Sequence, residues 1–202
     1  MIEKSLDNLT AEDVRRDWHL VEPAIRKEVR SFFDNKTFEL RPRNKTANIC
    51  SSRWVHKYKI IDGKRQVKSR LTIRGFQDLS VSADTYAGTA TRWGQRMVSS
   101  VSSQRSWRIF MSDVSSAFLQ SMSFEQMAAL GGIEARAVAF DPPTGSACYF
   151  RELPGMKHYN ELSMTLGMLK PVYGLKDAPK AWKLQLDRVL RLAGGRQCHT
   201  DK

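Results

Sequence analysis

The chain has 202 residues, of which 41% are hydrophobic and 27% charged, a composition typical of a soluble globular protein with one domain or two small ones. No apolar run approaches the roughly 18–20 residues of a membrane span, and the N-terminus lacks the apolar core of a signal peptide. We therefore expect an intracellular protein, cytoplasmic or nuclear, that does not contact a membrane. The 3 cysteines and 4 histidines are scattered, which argues against a disulfide framework and a structural zinc site.

Positive charge is concentrated in one stretch of the sequence. The formal net charge is +12, and residues 41–78 carry 11 basic and 2 acidic side chains, a net charge of +9. A surface that binds a polyanion requires such a concentration, although a solvated basic face is the simpler alternative. On charge alone we favour the binding of nucleic acid or nucleotides.

The N-terminal part of the chain has a helical pattern. Residues 10–13 (TAED) resemble a capping box, and apolar residues then recur at steps of three and four up to about Phe33. Pro23 falls inside this pattern and is expected to kink the helix or to begin a second one. A short strand is predicted for residues 37–40.

A β-hairpin is predicted next, because residues 53–61 and 65–76 are rich in strand formers and flank an Asp62-Gly63 pair. Side chains alternate between the two faces of a strand. The apolar residues expected on one face are Val67, Leu71 and Ile73, and the cations expected on the other are Lys68, Arg70 and Arg74.

The remaining elements are predicted from the same periodicities. The first is a helix at 91–107 with Trp93 and Met97 on its apolar side. A strand follows at 108–114, on which Asp113 shares a face with Ile109 and Met111. The rest are a short helix at 123–131, strand-like segments at 136–140 and 147–151, and a final helix from the N-cap Asp177 to Gly194-Gly195. Helices and short strands are mixed without a regular βαβ rhythm, so the predicted fold class is α+β.

Five sequence blocks stand out between residues 24 and 194. They are NKTFEL at 35–40, RWVHK at 53–57, KSRLTIRGF at 68–76, DVSSAFLQ at 113–120 and YGLKDAPKAW at 173–182. The last three resemble the K-A-R-L-V-A-K/R-G-F, D-V-x-x-A-F-L and Y-G-L-K-Q-A-P-R-x-W blocks of Ty1/copia-type reverse transcriptases. The first two are weaker matches to N-x-T-W-E-L and K-W-V-F-K. Because all five occur in the family's order, the resemblance is specific.

The resemblance implies a fold made of reverse-transcriptase fingers and an incomplete right-hand palm. It divides the chain into an N-terminal helical lead-in at 1–23, a fingers-like region at 24–90, a partial palm at 91–194 and a tail at 195–202. The implied activity is RNA-directed DNA polymerisation by two-metal nucleotidyl transfer. The implied partners are an RNA template, a DNA primer, deoxynucleoside triphosphates and the rest of the Pol polyprotein, including the missing palm and RNase H.

The basic hairpin supplies candidate phosphate ligands. Lys68 and Arg70 can hold phosphate oxygens as a point charge and a planar fork, and by resemblance they contact the incoming triphosphate. Lys57, Lys59 and Arg74 are candidates for contact with the nucleic-acid backbone. The alternative for Lys68 and Arg70 is that they are solvated strand cations.

A metal site is implied at the block that begins with Asp113. By resemblance the Asp113 carboxylate is catalytic and, with the carbonyl of Val114, ligates Mg²⁺, with Mn²⁺ as a substitute. Hard oxygen ligands of this kind suit Mg²⁺, which activates and stabilises oxygens in two-metal phosphoryl transfer. The alternative for Asp113 is an N-cap of the following turn.

The resemblance adds four residues to the nucleotide pocket: Phe118, Tyr173, Gly174 and Lys176. Phe118 stands where the family places an aromatic ring beneath the sugar, which would exclude a 2′-hydroxyl. Gly174 would permit a close backbone approach, and Lys176 could meet a phosphate. The alternatives are a core phenylalanine and an ordinary helix entry with a proline start.

One expected block is missing from the sequence. The family carries an aromatic-x-Asp-Asp block after its Y-G-L-K block, and this chain contains no Asp-Asp pair. Because one carboxylate cannot hold two cations, we expect the chain alone to lack polymerase activity, and we expect exposed apolar surface and poor solubility. Residues 123–165 also depart from the family.

A non-catalytic nucleic-acid-binding remnant of a decayed element is the second hypothesis, and an unfolded relic is the third.

Overall fold

The computed structural model describes residues 7–61, 63–80, 85–131 and 135–196. The helices found there are α1 (Ala11–Arg16), α2 (Trp18–Asp34), α3 (Arg92–Gln104), α4 (Phe124–Gly131), α5 (Ala147–Arg151) and α6 (Ala178–Leu192). The strands are β1 (Phe38–Pro42), β2 (Ile49–Ile61), β3 (Lys64–Ile73), β4 (Ala139–Asp141) and β5 (Met164–Met168). In this part of the chain, no helix is both long enough and apolar enough to cross a membrane.

The N-terminal helices begin as the sequence predicts. Thr10 and Asp13 form the capping box, since each side chain accepts a hydrogen bond from the other residue's backbone N–H. The helical segment is divided at Asp17, however, and Pro23 lies inside α2 rather than at its start. Asp17 is held at this bend because its carboxylate accepts hydrogen bonds from Arg16 and from Tyr58 on β2. A tertiary contact therefore places the break six residues before the proline.

The five strands form one mixed sheet in the order β1-β5-β4-β2-β3. The β2 and β4 strands run parallel, and the other neighbouring strands are antiparallel. Strands from before and after residue 90 thus lie side by side. The buried core joins α2 to this sheet and includes Phe32, Leu71, Phe140, Phe150 and Leu166. Burial of these side chains in one cluster fixes β3 against α2.

The predicted hairpin is confirmed. Its two strands pair from Ser52 with Ile73 to Ile61 with Lys64, and Gly63 has the positive φ of +72° that a tight hairpin turn favours. Asp62 lies outside the described residues. The other long edge of β2 is partly covered by residues 7–9, because Leu9 N–H donates to the His56 carbonyl at 3.0 Å and Tyr58 N–H donates to the Asp7 carbonyl at 2.9 Å.

Two predicted strands are wrong. Residues 147–151 form the helix α5 and do not extend the sheet beside β4, whose two edges are occupied by β5 and β2. Residues 108–114 are irregular, pair with no strand of the described sheet, and expose Phe110 and Met111 at 87% and 96%. The segment 136–140 is a strand only from Ala139 onward.

The three remaining predicted helices are confirmed as α3, α4 and α6, with one difference in packing. Helix α3 is capped by Thr91, but Trp93 and Met97 on its apolar side are 76% and 60% exposed. Helix α6 ends before Gly194, whose φ is +85°. An apolar surface thus remains uncovered on α3 and on the segment that follows it.

Candidate functional site

The cationic side chains of the hairpin share one face. Lys57 lies directly opposite Lys68, and Val55 lies opposite Arg70. Cross-strand partners point to the same side of a sheet, so these cations and Lys59 line one open groove of about 730 Å³. The predicted alternation is confirmed, since Lys68 and Arg70 are exposed and Leu71 is buried.

The charges on this face are poorly neutralised. Partial burial, followed by the positive charges of Arg70 and Lys59, lowers the pKa of Lys68, while Glu28 and Asp113 act in the opposite direction. Like charges directly opposite each other destabilise a sheet. A surface that keeps Lys57 opposite Lys68 is therefore stabilised when an anion binds across both.

The outer edge of β3 is closed by two acceptors from other elements. The N–H of Leu71 donates to Glu28 Oε1 at 3.3 Å, and the N–H of Ile73 donates to the carbonyl of Tyr173 at 2.8 Å. These N–H groups point away from β2, so no hairpin carbonyl can satisfy them. The edge of the cationic strand is thus attached to helix α2 and to the loop before α6.

Sequence reasoning missed Glu28, which lies on α2 behind the cationic face. Its side chain is almost completely buried, and burial raises the pKa of Glu28 to about 7, although the Leu71 hydrogen bond and the charges of Arg70 and Lys68 oppose the rise. The available signal was its spacing: Glu28 falls three residues after Ile25, inside the apolar stripe of the helix. A carboxylate on the buried face of a helix requires a polar partner elsewhere in the fold.

Tyr173 joins three of the five sequence blocks. The guanidinium of Arg70 lies 5.4 Å from the centre of its ring, and the ring of Phe118 lies 5.6 Å away. Burial, followed by the charge of Glu28, raises the pKa of Tyr173, while the charge of Arg70 and the side chain of Ser116 oppose the rise. Phe118 is partly buried in this cluster rather than in the centre of the core. Arg70, Phe118 and Tyr173, predicted as nucleotide ligands, therefore lie together.

Gly174 lies close to the protein's own backbone, and its predicted role at a nucleotide stays a prediction. Its φ is +99°, and a Cβ there would overlap the carbonyl oxygen of Ile73. A Cβ on Gly75 would in turn overlap the carbonyl oxygen of Gly174. Both glycines are thus required where the end of β3 meets the loop before α6.

Asp113 is not at the end of a strand, which corrects the prediction. It is exposed in the irregular segment before the turn at Ala117–Gln120, and Val114 is 40% exposed. The segment has no strand partner that could hold it extended. The charge of Asp113 acts to raise the pKa of Lys68, but Asp113 is not among the residues that line the cationic groove. Within the described ranges no group of three or more His, Cys, Asp or Glu side chains could hold a metal ion.

Two of the predicted cations are not among the residues that line the cationic groove. Arg74 follows β3, and its guanidinium donates to Ser51 Oγ at 3.4 Å. Lys176 is exposed in the loop before α6. The cationic groove thus brings together Lys57, Lys59, Lys68 and Arg70, but not Arg74 or Lys176.

A buried ion cluster lies beneath that loop. Asp177 occupies the N-cap position of α6, but its carboxylate makes no capping hydrogen bond and instead accepts from Arg136 at 2.5 Å. Arg136 also pairs with Asp78, and both carboxylates are almost fully buried. Burial raises the pKa of Asp177, and the charge of Arg136 opposes the rise. The cluster fixes the loop of residues 173–177 against the segment after β3.

Comparison with known proteins gives one consistent relationship. Over 176 residues the chain is 26% identical to the "Retrovirus-related Pol polyprotein from transposon RE2" of Arabidopsis thaliana, and equally to that from transposon RE1. The match supports a retrotransposon Pol origin. It covers 85% of this chain but only 11% of each relative, so the chain spans about a tenth of the length of the curated relatives it matches. No protein-family model and no solved structure matches it.

Proposed function

We propose that the chain is the fingers and an incomplete palm of the reverse transcriptase of a Ty1/copia-type retrotransposon. The observation that carries the proposal is the meeting of three sequence blocks around Tyr173, whose ring is contacted by Arg70 and Phe118. A nucleotide pocket needs this combination, because a guanidinium binds phosphate and aromatic rings contact the sugar or base. The Pol relatives are consistent with this origin.

In this proposal each group has a defined task. Lys68 and Arg70 hold the phosphates of an incoming deoxynucleoside triphosphate, and Tyr173 keeps the Arg70 guanidinium in place. Phe118 limits space at the 2′ position of the sugar. Lys57 and Lys59 contact the phosphates of the RNA template or DNA primer.

The described residues do not fit a two-metal site by themselves. Mg²⁺ bound at protein sites commonly uses one or two carboxylates together with substrate phosphates, and a two-metal centre has two such ions to hold. The Asp113 carboxylate and the Val114 carbonyl supply a fraction of these ligands, so no catalytic step is derived from them. We propose that polymerisation with Mg²⁺ or Mn²⁺ needs further acidic residues of the Pol polyprotein, outside this sequence.

Primer extension on an RNA template tests the first part of this proposal. We expect no extension by this chain with Mg²⁺ or Mn²⁺. Extension that is lost in Asp113→Ala would show that the residues present are sufficient and would overturn the inference about missing ligands.

The second candidate is a non-catalytic nucleic-acid-binding remnant. It is favoured by one observation: the cationic groove is assembled within the described residues, whereas the metal ligands are not. Both candidates predict that an oligonucleotide binds with strong salt dependence and that Lys68→Glu with Arg70→Glu weakens binding at least about tenfold. The control is Lys45→Glu with Lys157→Glu, which makes the same change in net charge at exposed sites off the hairpin face.

Nucleotide selectivity separates the two candidates. A reverse-transcriptase pocket predicts that dTTP competes better than the corresponding ribonucleotide, and that Phe118→Ala abolishes this preference without weakening oligonucleotide binding. A remnant predicts equal competition by both nucleotides in the unmodified chain.

A further inference from the structure

We propose that Glu28 takes up a proton when a phosphodiester polyanion occupies the cationic groove, so that binding becomes weaker as the pH rises through neutrality. The inference rests on the proposed binding of nucleic acid to this groove. It assigns to Glu28 the role of a positioning and regulatory residue. The residue contacts the cationic strand from behind and does not contact the bound polymer.

The geometry isolates the Glu28 carboxylate behind the groove. It is 8% exposed and is hydrogen-bonded to the Leu71 N–H at the strand edge. The charged and titratable groups that act on it or on its neighbours are Lys68 and Arg70 on β3, Tyr173 in the loop before α6, and Asp113 through Lys68. Among the described residues no cation lies within ion-pair distance of Glu28, so its charge is balanced only at longer range.

Bound polyanion and ionised Glu28 would compete for the same two cations. In a site of low dielectric the negative charges also repel each other more strongly than they would in water. Taking a proton from solvent removes this repulsion and leaves Lys68 and Arg70 to the phosphates. Because coupling between two sites is reciprocal, anion binding favours protonation of Glu28, and protonation of Glu28 favours anion binding.

Burial places this switch in an accessible pH range, since it raises the pKa of Glu28 to about 7. His56, the histidine of the hairpin, lies on the opposite face, where it pairs with Ser69 at 2.8 Å. Burial lowers the pKa of His56 and favours its neutral form. It therefore makes a suitable control residue for titration near neutrality.

The test measures the affinity of a 5′-hydroxyl oligothymidylate by fluorescence anisotropy at pH 6 and pH 8, at constant ionic strength. Phosphodiesters do not titrate in this range, so a change in affinity reports on the protein. We expect the unmodified chain to bind at least about fivefold more tightly at pH 6, as two coupled sites do. Glu28→Gln keeps an oxygen that accepts the Leu71 N–H, and we expect it to bind equally at both pH values.

Controls separate this inference from the proposed function. His56→Gln should keep the pH dependence of the unmodified chain, and calorimetry in two buffers of different ionisation enthalpy should detect proton uptake that Glu28→Gln lacks. A pH dependence that persists in Glu28→Gln overturns the role of Glu28 while leaving nucleic-acid binding intact. Absence of oligonucleotide binding at both pH values, or binding unaffected by Lys68→Glu with Arg70→Glu, overturns the proposed function itself.

Discussion

The backbone of Gly75 lies directly against the carbonyl oxygen of Gly174, with no space for a Cβ between them. The two residues are almost a hundred positions apart and belong to different sequence blocks. Their contact, together with the hydrogen bond from Ile73 N–H to the Tyr173 carbonyl, joins the end of the cationic strand to the loop before α6. The arrangement of Arg70 on Tyr173 depends on this junction.

The first prediction concerns that junction. Gly174→Ala places a side chain at a φ of +99° and against the carbonyl of Ile73, and we expect it to lower the free energy of unfolding by more than about 3 kcal/mol. Gly155→Ala is the matched control, because Gly155 has a φ of +76° but open space around it, and it should cost about 1 kcal/mol. Urea denaturation measures both, and equal losses would contradict the steric account.

The second prediction concerns the effect of the buried Glu28 carboxylate on the stability of the folded chain. Its pKa is about 7 in the folded chain and near 4.5 when unfolded, so its ionisation penalises folding progressively from about pH 4.5 and fully above pH 7. Glu28→Gln removes this penalty. We expect its gain in stability over the unmodified chain to be about 2 to 3 kcal/mol larger at pH 8 than at pH 5, from 1.36 kcal/mol for each unit of pKa. A gain that does not change with pH would contradict the burial of this charge.

The third prediction concerns the buried ion cluster. Arg136→Met leaves the carboxylates of Asp78 and Asp177 buried without their cation, and we expect a loss of about 3–5 kcal/mol in the free energy of unfolding. Arg26→Met is the comparison, because the side chains of its ion pairs with two glutamates are 36–49% exposed and the pairs should contribute less than about 1 kcal/mol. Thermal denaturation of the two variants shows whether Arg136 stabilises the fold more than the ion pairs of Arg26 do.

The fourth prediction concerns the uncovered apolar segment. Phe110→Ser with Met111→Ser removes two side chains that are 87% and 96% exposed, so we expect less self-association at an unchanged melting temperature. Phe140→Ser serves as the contrast, since Phe140 is 1% exposed and its replacement should unfold the chain. Light scattering and thermal melts report the two effects separately. A melting temperature lowered by the first pair would show that the segment packs against the fold in solution.

Local patterns predicted the hairpin well, because a Gly turn and strict alternation specify it without distant contacts. The same reasoning failed for residues 108–114, where an apolar, strand-like segment pairs with no strand of the described sheet. It also failed for residues 147–151, since occupancy of both β4 edges is a property of the whole sheet. Strand formation depends on a partner, and a partner distant in sequence leaves no local signal.

The candidate site was predicted as separate residues and not as an arrangement. Lys68, Arg70, Phe118 and Tyr173 came from the sequence blocks, but the contact of Arg70 with the Tyr173 ring needed the fold. Glu28 was not predicted as a site residue, because the apolar stripe of α2 indicates helix packing alone. Asp177 was expected to cap α6, and its pairing with Arg136 depends on a side chain 41 positions away.

The occupied edge of β3 also limits how the sheet could grow between copies of the chain. The outward N–H groups of Leu71 and Ile73 already donate to Glu28 and Tyr173, so an incoming strand finds no donors at the base of the hairpin. On this edge of the described sheet, the outer part of β3 near the turn offers backbone groups for pairing, and it carries Lys64, Arg65 and Lys68. Like charges on such an edge repel an identical strand. The groups that shape the groove thus also disfavour pairing of two copies through their β3 edges.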